Sequence, residues 1–277
     1  MAKPKSVEFD GGKIVFPIVY EDRSVMALDK LAGWMLAPDS WDQTGRNLQL
    51  ALQSSLNAGD YWARSRNLKY LRFIHRLDAE TTGLTLFAKS PGALRVFGEL
   101  FEERRVDKKY LAVVHGLPKA AEWTCNLALT ADPSFKGRMI TIPGAGETGR
   151  RGRGAPRPLP EELVKDAETH FRVLQTTAAT ALVEARPTTG RTHQIRVHLA
   201  AAGHPVVGDA VYGKDERAAS AGRQKLGLRA VALAYPDPFQ GRTIRIEAPV
   251  EAFLREYGFK TDGFSLREER KPPSLPA

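Results

Sequence analysis

Short runs of branched and aromatic residues alternate with polar turns along this chain, and a few stretches carry helical spacing instead. Residues 14–20 (IVFPIVY) and 24–29 (SVMALD) flank the polar turn EDR, which predicts two strands. Their Val, Ile, Phe and Tyr content carries that reading more than strict alternation does. Leu48, Leu52 and Leu56 then recur every four positions, the stripe of an amphipathic helix over 47–57. LKYLRFI (68–74) returns to strand, HRLDAETTG (75–83) is a polar bend, and LTLFAKS (84–90) is a further strand. Ser90 before Pro91 offers a hydroxyl cap and a first helical residue with no N–H to satisfy. Leu94, Phe97, Leu100 and Phe101 form the buried stripe of that helix. Arg104 and Arg105 lie near its C-terminal end, where cations complement the dipole.

Downstream, 109–116, 168–175, 179–186, 229–235 and 241–247 read as strands. RTHQIRVHLAAAG reads as a helix closed by Gly203, and 250–257 as a short helix. The segment 144–162 (GAGETGRRGRGAPRPLPEE) has almost no hydrophobes and is expected to be an exposed basic insertion. These elements predict an α+β fold: a mixed, largely antiparallel sheet with flanking helices. One domain over 14–260 is expected, between an N-terminal extension (1–13) and a disordered tail (261–277). There is no internal repeat or heptad array. Without βαβ repetition or a GxGxxG fingerprint, a dinucleotide fold is disfavoured.

Composition adds a sign and removes some chemistries. With 277 residues, 42% hydrophobic and 26% charged, the chain can bury a sizeable core. Its 41 Lys+Arg against 32 Asp+Glu leave a formal charge of +9, which favours a polyanionic partner. Cys125 is the single cysteine, so an intrachain disulfide and a four-thiolate metal site are both excluded. Between Trp123 and Leu127 it reads as a buried strand thiol. No apolar run is long enough to span a bilayer, and the start, MAKPKSVEFDGG, has no hydrophobic stretch of a signal peptide. No membrane partner and a cytoplasmic location are the resulting expectations.

Three segments could carry chemistry. In FIHRLDAETTG (73–83) a strand delivers His75, Arg76 and Asp78 into a bend. Asp78 has two readings: a carboxylate kept ionised beside guanidinium groups, or a residue that holds the turn by accepting the amides of Thr81, Thr82 or Gly83. TTGRTHQIRVHLAAAGHPVVGDAVYG (188–213) opens its helix with Arg191, Thr192 and His193, and puts Arg196 on the face of His193. That cluster is either a working face or a solvated one. His193 and His198 are five apart, a poor spacing for paired metal ligands. In DKKYLAVVHG, strand periodicity puts Lys108 and Tyr110 on one side, with Lys109 between them. Tyr110 is either a platform for stacking a base or an ordinary amphipathic strand residue.

Taken together, HRLDAETTG, KKYLAVVHG and GRTHQIRVHLAAAGHPVVGDAVYG resemble, in order, motifs of the RluA class of pseudouridine synthases. VYEDRSVMALDKLAGWMLAP (19–38) resembles the opening motif of that class, usually built on Asn-Lys-Pro-Ala-Gly, with Asp29 and Leu31 departing from it. Thr82 stands where Ser is common, and Tyr235 and Pro236 depart from a frequent Phe-x-His-Pro pattern. The resemblance spans about residues 14 to 250. It implies the pseudouridine synthase catalytic fold, with Asp78 as the essential carboxylate, Arg196 as its partner and Tyr110 against the target base. It also implies isomerisation of uridines in structured RNA, ribosomal or transfer, with no cofactor, no metal and no DNA partner. Asp78 would act either as nucleophile or as a base on a sugar proton. Arg76, Lys108, Lys109, Arg191 and His193 are the expected RNA contacts, and a monomer is expected. The motifs begin too early for the S4-type domain some members carry, and Arg150, Arg151, Arg153 and Arg157 of the insertion are expected to substitute in part. The rivals are a non-catalytic RNA-binding or ribosome-assembly factor, and a metal-dependent nuclease using Asp78 and Glu80.

Overall fold

A computed structural model describes residues 3–36, 45–142, 163–213 and 224–266. The first expected hairpin forms as β2 (Ile14–Glu21) and β3 (Val25–Lys30). Asp22 closes it, its carboxylate accepting the N–H groups of Ser24 and Val25. Part of the expected N-terminal extension joins the sheet, as β1 (Ser6–Phe9) pairs antiparallel with β2 and buries Val7.

Helix α1 (Leu48–Ala58) starts where Asn47 accepts the Leu50 N–H and stops at Gly59 in the left-handed region. With the short α2 (Tyr61–Arg64) it covers one face of β1–β3, burying Leu48, Leu52 and Trp62 against Phe16, Met26 and Leu28. Burial of each such side chain is worth roughly 1.5–3 kcal/mol. The strand expected over 68–74 shrinks to β4 (Arg72–Phe73). The reason lies in α1: Gln49 donates to the Leu71 carbonyl and accepts the Phe73 N–H, so a side chain satisfies backbone groups that a ladder would have used.

The remaining elements run in chain order from β5 (Thr82–Ala88) through α3 (Pro91–Glu102), β6 (Asp107–His115), β7 (Glu122–Cys125), β8 (Ala128–Ala131) and β9 (Met139–Ile142). β10 (Thr169–Thr176), β11 (Thr180–Pro187), α4 (Gln194–Ala201), β12 (Leu228–Pro236), β13 (Thr243–Glu247) and α5 (Glu251–Glu256) follow. Ser90 caps α3 by accepting the Ala93 N–H. The main sheet has the order β1-β2-β3-β5-β12-β6-β11-β10-β7, with β13 on β12 and β4 on β5. Its ladders are antiparallel except β5–β12, and β8–β9 form a separate hairpin. The expected α+β class with a mixed, largely antiparallel sheet is what forms.

Alternation divides the central strands between two cores. Tyr110, Ala112 and Val114 of β6 face α3 and α4, with Phe97, Leu100, Ile195 and Leu199. Leu111 and Val113 face α5, with Phe253 and Leu254. Phe264 and Leu266, expected in the tail, pack on that second core. The basic segment 144–162 and residues 267–277 of the tail lie outside the described residues.

Candidate active site

The bend 75–83 is held by its backbone. The Asp78 carbonyl, rather than its carboxylate, accepts the Thr81 N–H at 3.1 Å. The next carbonyl, of Ala79, accepts from Gly33 N–H at 2.9 Å and from Lys30 Nζ at 2.7 Å. Lys30 is fully buried and also donates to the carbonyls of Leu31 and Trp34. Burial brings its ammonium down to about 8, while Glu80 and Asp78 pull it up. At the end of the bend Gly83 has φ +104, and a Cβ there would lie 2.0 Å from the Ala230 carbonyl oxygen. Glycine is therefore required where β5 meets β12.

With the turn satisfied by main chain, the Asp78 carboxylate is left for Arg196, whose Nη1 donates to Oδ2 at 3.2 Å. Arg196 is itself locked by Asp209, through Nε to Oδ2 at 2.7 Å and Nη2 to Oδ1 at 2.8 Å. Asp209 also accepts the N–H groups of Val211 and Tyr212. Burial alone would raise the Asp209 carboxyl, but the Arg196 guanidinium and those amides hold it below its ordinary value. For Arg196 burial works against the charge, and Asp209 and then Asp78 outweigh it, raising its pKa. The guanidinium lies 5.2 Å from the Tyr212 ring centroid. Of the three charged side chains, Asp209 is 0% exposed, Arg196 8% and Asp78 24%. Asp78 is the most exposed of the three.

Tyr110 sits on the same side of the sheet as α4, nearly buried. Burial, and then the negative charge of Asp78, raise its phenol, so it stays protonated. Lys108 shares that side of β6 and donates to the Thr189 carbonyl at 3.1 Å. Burial brings its ammonium to about 8, with Asp107 pulling up and Arg104 pushing down. His75 packs the base of the bend: its Nε2 accepts the Leu86 N–H at 3.1 Å and its ring stacks on Phe101 at 4.7 Å. Burial, helped by nearby Lys108, lowers it to about 3 and keeps it neutral.

Asp78, Arg196 and Tyr110 thus converge, with Lys108 beside them. Arg76 is exposed on the bend. Lys109 points to the other face of β6, with Leu111 and Val113, and is 8% exposed, so the strand does not bring it to the site. The helix expected from Arg191 starts at Gln194 instead. His193 is left-handed (φ 55), and the Gln194 side chain accepts from Arg191 N–H and Thr189 Oγ1, which holds 189–193 as a loop. His193 Nδ1 then lies 2.9 Å from the Tyr212 hydroxyl, and Arg191 Nε donates to the Asp166 carbonyl. Sequence reasoning missed Lys30, Asp209 and Tyr212, although all lie inside the quoted motifs. The available signal was the Gly208–Asp209 step: Gly208 has φ +74, and a Cβ would lie 2.0 Å from the Lys225 carbonyl oxygen.

His198 spans Thr169 Oγ1 and the Leu127 carbonyl. Among the described residues no group of three or more His, Cys, Asp or Glu side chains is arranged to hold a metal ion. Cys125 is half-buried on β7, and burial raises its thiol. No helix among the described residues is long and apolar enough to cross a membrane.

Comparison with known proteins decides what this arrangement belongs to. A family model described as RNA pseudouridylate synthase matches residues 24–201. The chain belongs to that family. It is an RNA pseudouridine synthase, an isomerase of uridines in RNA. The chain is 33% identical over 242 residues to the ribosomal large subunit pseudouridine synthase C of Vibrio cholerae serotype O1, covering 86% of this chain and 67% of that protein. Against the protein of the same name from Escherichia coli (strain K12) identity is 34% over 243 residues, with the same two coverages. Among solved structures, human RNA pseudouridylate synthase domain containing 1 superposes with TM-score 0.61 at 28% identity, covering 84% of this chain and 83% of that one. Human RNA pseudouridylate synthase domain containing 4 has TM-score 0.64 at 23% identity, covering 87% and 91%, and shows the shared fold.

Proposed function

We propose that Asp78 is the catalytic carboxylate of this pseudouridine synthase, with Arg196 and Tyr110 completing the site, and that its substrate is large-subunit ribosomal RNA. One observation carries the assignment of Asp78. Its partly exposed carboxylate is aimed by an arginine that a fully buried aspartate holds in place. The names of the bacterial relatives support ribosomal over transfer RNA.

In the reaction the N1–C1′ bond of uridine breaks and a C5–C1′ bond forms. The proton on C5 leaves and N1 gains one, so no atom is gained or lost overall. Asp78 works at the ribose–uracil linkage. Arg196 keeps its carboxylate oriented once RNA has displaced water. The Tyr110 ring packs against uracil while it is detached and turned. A glycosidic bond inside a helix is out of reach, so the nucleotide is flipped out, with Arg76 at the vacated position. Lys108, Arg191 and His193 contact the backbone phosphates in this reading. The protein works as a monomer with one catalytic domain, in the cytoplasm, on structured RNA.

The test is pseudouridine mapping in a host lacking the gene, rescued with wild type or Asp78→Asn. Sites that return only with wild type are expected, while purified Asp78→Asn stays folded and binds RNA within about tenfold of wild type. If Asp78→Asn restores the sites, the assignment of Asp78 fails. If wild type restores none and total RNA is not isomerised in vitro, a non-catalytic RNA-binding factor becomes the better description.

A further inference from the structure

We propose that the turn joining β8 to β9 is a second RNA contact, in which Phe135 stacks on an unpaired base near the target uridine. The proposal rests on the reading of the active site given above.

Phe135 is 57% exposed, yet the turn that displays it is fully built. The Asp132 carboxylate accepts the Ser134 N–H at 2.8 Å, the Asp132 N–H reaches the Arg138 carbonyl at 2.9 Å, and the Arg138 N–H reaches the Phe135 carbonyl at 3.1 Å. Gly137 supplies the left-handed residue, φ +84. A large ring held in water by an ordered turn forfeits the burial that other phenylalanines of the chain gain. Phe239 is as exposed but leans on Phe97, with ring centroids 6.1 Å apart.

Two cations follow the ring in sequence, Lys136, exposed, and Arg138, partly exposed and paired with Asp132 at 3.8 Å. An exposed aromatic next to the exposed Lys136 fits a base and its phosphate, because every base offers a π-face and every linkage a charge. An apolar protein partner would instead be met by a contiguous apolar patch.

The turn is also tied to the reacting groups. Where β9 begins, the Met139 N–H donates to the Tyr212 hydroxyl at 2.8 Å. The Arg138 guanidinium lies 5.8 Å from the Tyr212 ring centroid, and that of Arg196 lies 5.2 Å from it. Met139 and Tyr212 pack beside Val197 of α4. The position of Phe135 is therefore referenced to the arginine that aims Asp78. Such a contact recognises the RNA around the flipped uridine and bears on the choice of site.

The experiment measures pseudouridine formation on an unmodified transcript of large-subunit ribosomal RNA by wild type, Phe135→Ala and Phe135→Tyr. Phe135→Ala is expected to raise KM about tenfold with kcat within about twofold, and Phe135→Tyr to stay near wild type. Phe135→Trp adds a direct readout: emission beyond that of the native tryptophans, quenched when the transcript is added. Unchanged KM in Phe135→Ala, or Trp emission that the transcript leaves unaltered, overturns the contact. So does Phe135→Ala that loses self-association while binding the transcript normally, since the ring would then meet protein. Quenching in a protein that forms no pseudouridine keeps the contact and rejects the catalytic reading. Turnover without quenching does the reverse.

Discussion

Arg229 and Arg196 each grip an aspartate with two nitrogens, but they use their remaining donors differently. Arg229 holds Asp29 through Nη1 at 3.0 Å and Nη2 at 2.6 Å, and its Nε and Nη2 both donate to the Pro249 carbonyl. That fork staples β3 to β12 and to the residue before Val250, and it ends on protein groups. Arg196 spends Nε and Nη2 on Asp209 and keeps Nη1 for Asp78, over a longer 3.2 Å bond to the more exposed carboxylate. The same side chain is a staple where its directions close on buried protein. It fits the role proposed for Arg196 where one direction points at a partly exposed carboxylate.

The largest test of that distinction is Arg196→Lys. An ammonium cannot serve both carboxylates in a fork, so kcat should fall at least about a hundredfold in single-turnover assays. Thermal unfolding should also come earlier, because Asp209 loses a partner while buried. A loss under tenfold would erase the special status of Arg196. The comparison sharpens with one chemical change made twice. Asp209→Asn should lower kcat about ten- to a hundredfold with little change in KM, because Arg196 is no longer held in place. Asp29→Asn should leave kcat within about twofold. Each should cost about 1–3 kcal/mol in urea unfolding. Equal rate effects would mean that both pairs are structural.

The smallest expected effect concerns a group that carries no charge. His75 lies three residues before Asp78 and is lowered from 6.5 to about 3. Between those values the unfolded chain binds a proton that the folded one does not. The stability it contributes is therefore present above about pH 6.5 and is lost as pH falls toward 3. His75→Gln can still accept the Leu86 N–H and should flatten the difference in urea midpoint between pH 7 and pH 5. An unchanged difference would show that carboxylates alone set the acid limit.

Legibility from sequence followed the range of the signal. The α1 and α3 stripes, the Ser90–Pro91 helix start and the β2–β3 turn were readable because each is decided within a few residues. The strand expected over 68–74 is cut short because Gln49, more than twenty residues away, takes over its backbone bonds. The helix expected from Arg191 starts three residues later because its loop is held by the Gln194 side chain and a left-handed His193. Alternation placed Lys108 and Tyr110 on one side correctly, and the same rule sends Lys109 to the other.

By itself, then, the sequence determined the class of fold and the family. Both depend on patterns of adjacent residues and on motifs that survive as strings. Only the tertiary structure decided that the Asp78 carboxylate is spared from turn-holding, that Asp209 locks Arg196, and that Lys30 ties the opening motif to Ala79. These bonds join residues 13, 49 and 118 positions apart. No local periodicity encodes such separations, because a charged side chain chooses its partner by the space and the dielectric the folded chain leaves around it.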